Sequence, residues 1–223
     1  MKYYEYISDS KVDMLLPQVT LATKQKISAE FKVDIKILSG KLSTEHFTLD
    51  NRVARVTAVS SFIAADQNVG TIASPDIWIA DSVTAGVGYF ADDQKLIGFA
   101  GQSDGTYFLL AGSSGHTTGA DPKDASFGTG FSFMPRMAKY LKDALKEVDN
   151  HGADENDDYV RMHLGTDQSD TKHHNWMKII EQGCRDLSDV TMSIEFLAKR
   201  LLSITGNRGT YLLATPLYVA RRD

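Results

Sequence analysis

The apolar positions of this chain follow two periods, and the changes from one to the other mark its elements. Tyr3 to Ile7 is aromatic and β-prone, which predicts an opening strand. Ser8-Asp9-Ser10 then offers short side-chain oxygens able to cap a helix that runs through Val12, Leu15 and Leu16 and stops at Pro17. From Phe31 to Ile37 apolar and charged residues alternate, the pattern of a half-buried strand. After Asp50, a candidate cap, Val53, Val56, Val59 and Phe62-Ile63 recur near helical spacing, with Arg52 and Arg55 on the more polar side.

The middle reads as an antiparallel meander. Ile77-Trp78-Ile79 begins one strand, and Val83, Ala85 and Val87 alternate toward Tyr89-Phe90. Asp92-Asp93 is a turn signal, Leu96 to Ala100 a strand, Ser103-Asp104-Gly105 a hairpin signal, and Tyr107 to Ala111 the returning strand. Farther on, a helix is predicted from Ser132 or Phe133 through Val148, a polar loop from His151 to Asp158, and a helix around Trp176, Ile179, Ile180 and Cys184. Another helix is predicted from about Thr191 through Ile194, Phe196, Leu197, Leu201 and Leu202, ended by Gly206-Asn207-Arg208-Gly209. Tyr211 to Ala220 reads as a final strand, with Pro216 demanding an edge position or a bulge. Strands at both chain ends predict one α+β domain over residues 1–223, a mainly antiparallel sheet with helices packed against it.

Charge alters this picture by its distribution. The net charge is −5, but Asp143 to Asp170 holds nine acids against two bases, so that segment is −7 and the rest of the chain +2. Four of the six histidines, His151, His163, His173 and His174, lie in or beside it. Residues 151–175 are expected to form a mobile acidic loop within the domain. No metal site is expected there, because adjacent histidines on a helix point about 100° apart and rarely ligate together. One cysteine, no apolar run of spanning length and no signal-peptide core predict a cytoplasmic protein without membrane partners. The negative total argues against nucleic acid, while the +2 remainder leaves room for a local anion site. Cys184, on the apolar side of its helix, is expected to be an inert core thiol.

Candidate chemistry concentrates in Ala111-Gly112-Ser113-Ser114-Gly115-His116-Thr117-Thr118-Gly119. Its glycines would let the backbone approach a ligand, and its N–H and hydroxyl groups could cradle an anion. It lacks the Gly-Lys-Ser/Thr ending of a P-loop and the spacing of a dinucleotide fingerprint; a flexible connection is the plain alternative. Ser113 or Ser114 with His116 could act as nucleophile and base, although the run misses Gly-x-Ser-x-Gly by one residue. Asp9, Lys11 and Asp13 stand at the first strand-to-helix junction, where ligand sites gather, but a salt-bridged helix start explains them as well.

The block Tyr3 to Gln18 resembles the opening of an uncharacterised family of small bacterial proteins that carries a domain-of-unknown-function label. Arg52-Val53-Ala54-Arg55, Gly112 to His116, Phe196 to Leu202 and Ala214 to Ala220 are similar too, and collinear with it. The resemblance implies a single-domain cytosolic bacterial protein linked to conflict or immunity systems, with no established activity, catalytic residue or cofactor. The residues and the resemblance together lead to a non-catalytic binding or adaptor protein that senses a small anionic ligand, such as a nucleotide, or a partner protein. Lys11, Arg52, Arg55, Ser113, Ser114 and His116 would contact the ligand. The alternative is a hydrolase with a Ser/His pair at the glycine-rich run or a carboxylate/His metal site.

Overall fold

A computed structural model of the chain describes residues 2–31, 35–37, 47–49, 51–90, 96–119 and 170–222. Its elements in order are β1 (Tyr3–Ile7), α1 (Asp9–Leu15), a 3₁₀ turn (Leu16–Gln18), α2 (Leu21–Phe31), β2 (Ile35–Ile37), β3 (Phe47–Leu49), α3 (Arg52–Asp66) and β4 (Val69–Gly70). The long strands β5 (Trp78–Phe90), β6 (Leu96–Ser103) and β7 (Thr106–Ser113) follow, then a 3₁₀ turn (Ser114–His116). After them come α4 (Asp170–Asp186), β8 (Thr191–Gly206) and β9 (Gly209–Arg221).

The meander is present as expected, but the sheet does not stay open. β5 pairs β6, β6 pairs β7, β7 pairs β9 in parallel, β9 pairs β8, and β8 returns to β5, closing a five-stranded barrel. Closure gives each of those strands a paired neighbour on both sides. Both chain ends are strands, and β1 adds antiparallel to β9 outside the ring, Tyr3 opposite Arg221 and Ile7 opposite Tyr218.

Side-chain alternation sorts the strands into two layers. Ile79, Val83, Ile97, Phe99, Phe108, Leu110, Ile194, Phe196, Leu212 and Ala214 fill the barrel. The opposite parity of β6, β7 and β9, including Leu96, Leu109, Ala111 and Leu213, packs with Ile179 and Ile180 of α4. Trp78, Leu197 and Leu217 instead meet Val12 of α1, Ile27 of α2 and Val56, Val59 and Ile63 of α3. Strands covered on both faces read as continuous apolar runs rather than alternating ones. Tyr211 to Ala214 is such a run, and it is a strand as predicted.

Several expectations are corrected. Thr191 to Leu202 is not helical; it is the first part of the 16-residue strand β8. A bulge at Leu201 reverses the side-chain parity of β8, so that Ile194, Phe196 and Ala198 face the barrel while Leu202 and Ile204 pack in the α4 layer; with Leu197 buried on the other face, the apolar positions imitate a helical stripe. Phe31 closes α2 rather than opening a strand, and Ile35–Ile37 of the alternating run is β, residues 32–34 lying outside the described ones. The helix cap before Arg52 is Asn51, whose Oδ1 accepts from the backbone N–H groups of Val53 and Ala54 at 2.8 and 3.3 Å. Ser8 occupies the cap position of α1 without capping through its side chain. Pro216 meets the second of its two expected settings, a bulge: Leu217 next to it is the extra residue of β9, and Pro216 falls in the gap between the β7 pairing that ends at Ala214 and the β1 pairing that starts at Tyr218. A residue without an N–H costs little there.

The predicted turn at Asp92-Asp93 and the helix from Ser132 to Val148 lie outside the described residues, as does most of the acidic segment. α4 begins at Asp170, within the range assigned to the loop.

Candidate functional site

The end of β1, the start of α1, the start of α3 and the turn after β7 meet at one place. The turn lies along β1: Thr117 bridges Tyr6, and the Thr118 N–H donates to the Glu5 carbonyl at 2.9 Å. This docking carries His116 to the mouth of α1, with its side chain only 7% exposed.

Arg52 holds the junction together. Its Nε donates to Asp9 Oδ1 at 2.9 Å, and Nη2 donates to Asp9 Oδ2 at 2.8 Å, to the Ile7 carbonyl at 2.9 Å and to the His116 carbonyl at 3.1 Å. Nη2 has two hydrogens for three acceptors, so one of these bonds is shared; Nη1 takes part in none of the four. A fork this engaged suits arginine, whose planar guanidinium matches a carboxylate edge-on. Asp9, Arg52 and His116, 43 and 64 positions apart in succession along the chain, thereby become neighbours.

His116 is held on all sides. Its ring stands edge-on to Tyr6, with centroids 5.9 Å apart, and Tyr6 in turn stands edge-on to Phe99 of the barrel core. Nε2 lies 3.5 Å from Ser10 Oγ, and Nδ1 lies 3.7 Å from Asp9 Oδ2, an electrostatic contact longer than a hydrogen bond. Buried Nδ1 makes no hydrogen bond among the described residues. Burial works against the Asp9 charge, but His116 and Arg52 outweigh it and hold this carboxyl below its ordinary range.

Lys11 turns inward. Its Nζ donates to Ser8 Oγ at 3.2 Å and to the Pro216 carbonyl at 3.1 Å, and the residue is 8% exposed. Burial, with a smaller push from Lys199, lowers its amine to about 8. Arg55 pairs with Asp13, so α3 supplies two arginines to two aspartates of α1. The salt-bridged helix start is therefore present, with α3 as the partner.

The glycine-rich run serves the interior as well. A Cβ on Gly112 would stand 2.3 Å from the Tyr6 hydroxyl, so this glycine makes room for Tyr6. Ser113 and Ser114 are half-buried at the end of β7, and the Ser114 carbonyl accepts from the Thr117 N–H and hydroxyl at 3.0 and 2.8 Å. Sequence reasoning did not single out Tyr6, Ser8 or Ser10 for the site; their signal was membership of the same opening block as Asp9 and Lys11. No group of residues that could hold a metal ion occurs among the described residues.

A family of unknown function (DUF7019) matches residues 2–223. The chain belongs to the DUF7019 family. No curated protein and no solved structure matches it. The match takes in every element that builds this DUF7019 junction, from β1 to β9. No described helix is long and apolar enough to cross a membrane.

Proposed function

We propose that this protein binds a small anionic ligand at the Arg52–His116 junction. The observation that supports it is the guanidinium of Arg52, fixed along one edge by Asp9, Ile7 and His116, with Nη1 outside those bonds. Its side chain is 36% exposed, so a ligand can reach it. Charge supports the same reading. Lys11, Arg52 and Arg55 outnumber Asp9 and Asp13 by one, a local excess of positive charge in an acidic chain. In this reading Arg52, Ser113, Ser114 and His116 contact the ligand, while Lys11 and Arg55 act through their charge. The collinear sequence blocks are what support a bacterial defence setting, with ligand occupancy passed on to a partner protein.

Thermal unfolding with inorganic phosphate, citrate and nucleoside mono-, di- and triphosphates tests it. A ligand at a hundred times its Kd stabilises by about 2.7 kcal/mol, roughly 5–10 °C for a chain of this length. The gain should disappear in a Ser113→Ala, His116→Gln double variant. No shift with any of these anions overturns the reading.

A further inference from the structure

The serine that faces His116 does not come from the glycine-rich run. Ser10, the second residue of α1, brings Oγ to 3.5 Å from Nε2, while Asp9 Oδ2 stands 3.7 Å from Nδ1 on the other side of the ring. Carboxylate, imidazole and hydroxyl thus stand in the order a nucleophilic serine needs: a base beside the hydroxyl and an acid that orients the base. The contacts that fix this histidine structurally are its carbonyl to Arg52 and its ring edge to Tyr6. Neither explains a buried Nδ1 that faces a carboxylate and makes no hydrogen bond among the described residues.

We propose that Ser10 is the nucleophile of an acyl-transfer site, with His116 as its general base and Asp9 as the positioning residue, acting on a carboxylic ester whose acyl part carries a negative charge. The preference for charge rests on the anion-binding reading above; the nucleophile does not. Nδ1 carries the ring proton toward Asp9, so the Nε2 lone pair faces Ser10. As the Oγ–carbon bond forms at the ester carbonyl, the hydroxyl proton passes to Nε2. The bond to the alcohol then breaks, and the alcohol leaves with that proton. Water next gives a proton to Nε2 and adds to the acyl carbon. The bond to Oγ breaks, Ser10 recovers its proton, and the carboxylic acid departs. Water is the only co-reactant.

Both contacts are longer than formed catalytic hydrogen bonds, a common state of such sites before substrate tightens them. The hydroxyl is held from behind as well. Ser8 Oγ lies 3.4 Å from Ser10 Oγ and accepts from Lys11, which is anchored on the Pro216 carbonyl of β9.

The test is covalent labelling of the full chain with a fluorophosphonate, the adduct being located by peptide mass. The adduct should fall on Ser10, vanish in Ser10→Ala and form at least about 100-fold more slowly in His116→Gln, the lower end of what a general base contributes. Ser103→Ala, in the β6–β7 hairpin, should label at the wild-type rate. No adduct, an adduct on another serine, or an unchanged rate in His116→Gln overturns the proposal. Circular dichroism melts show whether each variant is folded. Ser10→Cys gives a second route: its thiol should react with iodoacetamide in a His116-dependent way, and indifference to His116→Gln counts against the base. Hydrolysis of 4-nitrophenyl acetate against mono-4-nitrophenyl succinate separates the two readings. Labelling of Ser10 with no preference for succinate removes the anionic acyl group alone; phosphate-induced stabilisation without labelling removes the nucleophile alone.

Discussion

Replacing Lys11 by methionine should change how stability depends on pH. Lys11 is buried against Ser8 and Pro216, and its amine is lowered from 10.5 to about 8. A cation whose pKa falls on folding destabilises the folded state wherever the unfolded chain holds the proton more tightly. The cost is complete below pH 8 and is relieved as pH rises from about 8 toward 10.5. A shift of this size corresponds to about 3 kcal/mol at pH 7, of which about 2 kcal/mol is recovered by pH 9.5. Methionine keeps the length and apolar stem of the side chain but leaves the Pro216 carbonyl without its donor, at a cost of about 1–3 kcal/mol. The two effects offset near pH 7, so Lys11→Met should change stability little there. The slope should differ plainly. Urea unfolding between pH 7 and 9.5 should show wild type gaining about 2 kcal/mol relative to Lys11→Met, the difference cancelling other titrating groups. Parallel stability curves, or a gain by the variant, would refute an inward, desolvated Lys11.

Three further measurements address packing, one at the junction and two elsewhere in the fold. A Cβ on Gly86 would stand 1.8 Å from the Leu187 carbonyl, whereas at Gly105, with φ +74°, it meets nothing within 4 Å. Gly86→Ala should therefore cost about 2–4 kcal/mol from backbone overlap, and Gly105→Ala about 1 kcal/mol from backbone strain alone, as chemical denaturation would read. Arg52→Lys keeps the charge but loses the fork, and should lower stability by about 1–2 kcal/mol; an unchanged unfolding midpoint would mean the junction does not depend on it. Burial pushes the Cys184 thiol up to about 11, so at pH 8 about one molecule in a thousand carries the thiolate, and iodoacetamide should modify it only on unfolding.

The elements legible in the sequence were those whose period survives packing. β5 alternates along its middle because Ile79, Val83, Ala85 and Val87 face the barrel while Ala80, Ser82, Thr84 and Gly86 between them are small or polar. Asp104-Gly105 announced its hairpin because both residues take positive φ, which that pair adopts cheaply. β8 was illegible as a strand because the bulge at Leu201 shifts its period and Leu197 is buried beside Phe196 and Ala198, and α2 because it buries Lys24 and Ser28 beside Ile27 and so lacks a clean apolar stripe. Closure of the barrel was equally hidden. It depends on β7 pairing in parallel with β9, whose partner residues lie about a hundred positions away, and no local pattern encodes that.

The same distinction governs the junction. Asp9, Arg52 and His116 were suspected for separate local reasons, a helix start, a polar helix face and a glycine-rich run. Their common use follows from β1 lying between β9 and the turn after β7, which is tertiary information. It changes what each residue can do. Charges that read as free cations in the sequence are committed: Arg52 to Asp9, Arg55 to Asp13, Lys11 to a hydroxyl and a carbonyl. The serine brought to His116 is the one that looked like part of a helix cap. A cap serine spends its oxygen on a backbone N–H, whereas Ser10 Oγ faces another hydroxyl and an imidazole. That difference in partners, rather than any motif, makes Ser10 the residue on which the chemistry of this junction can be decided.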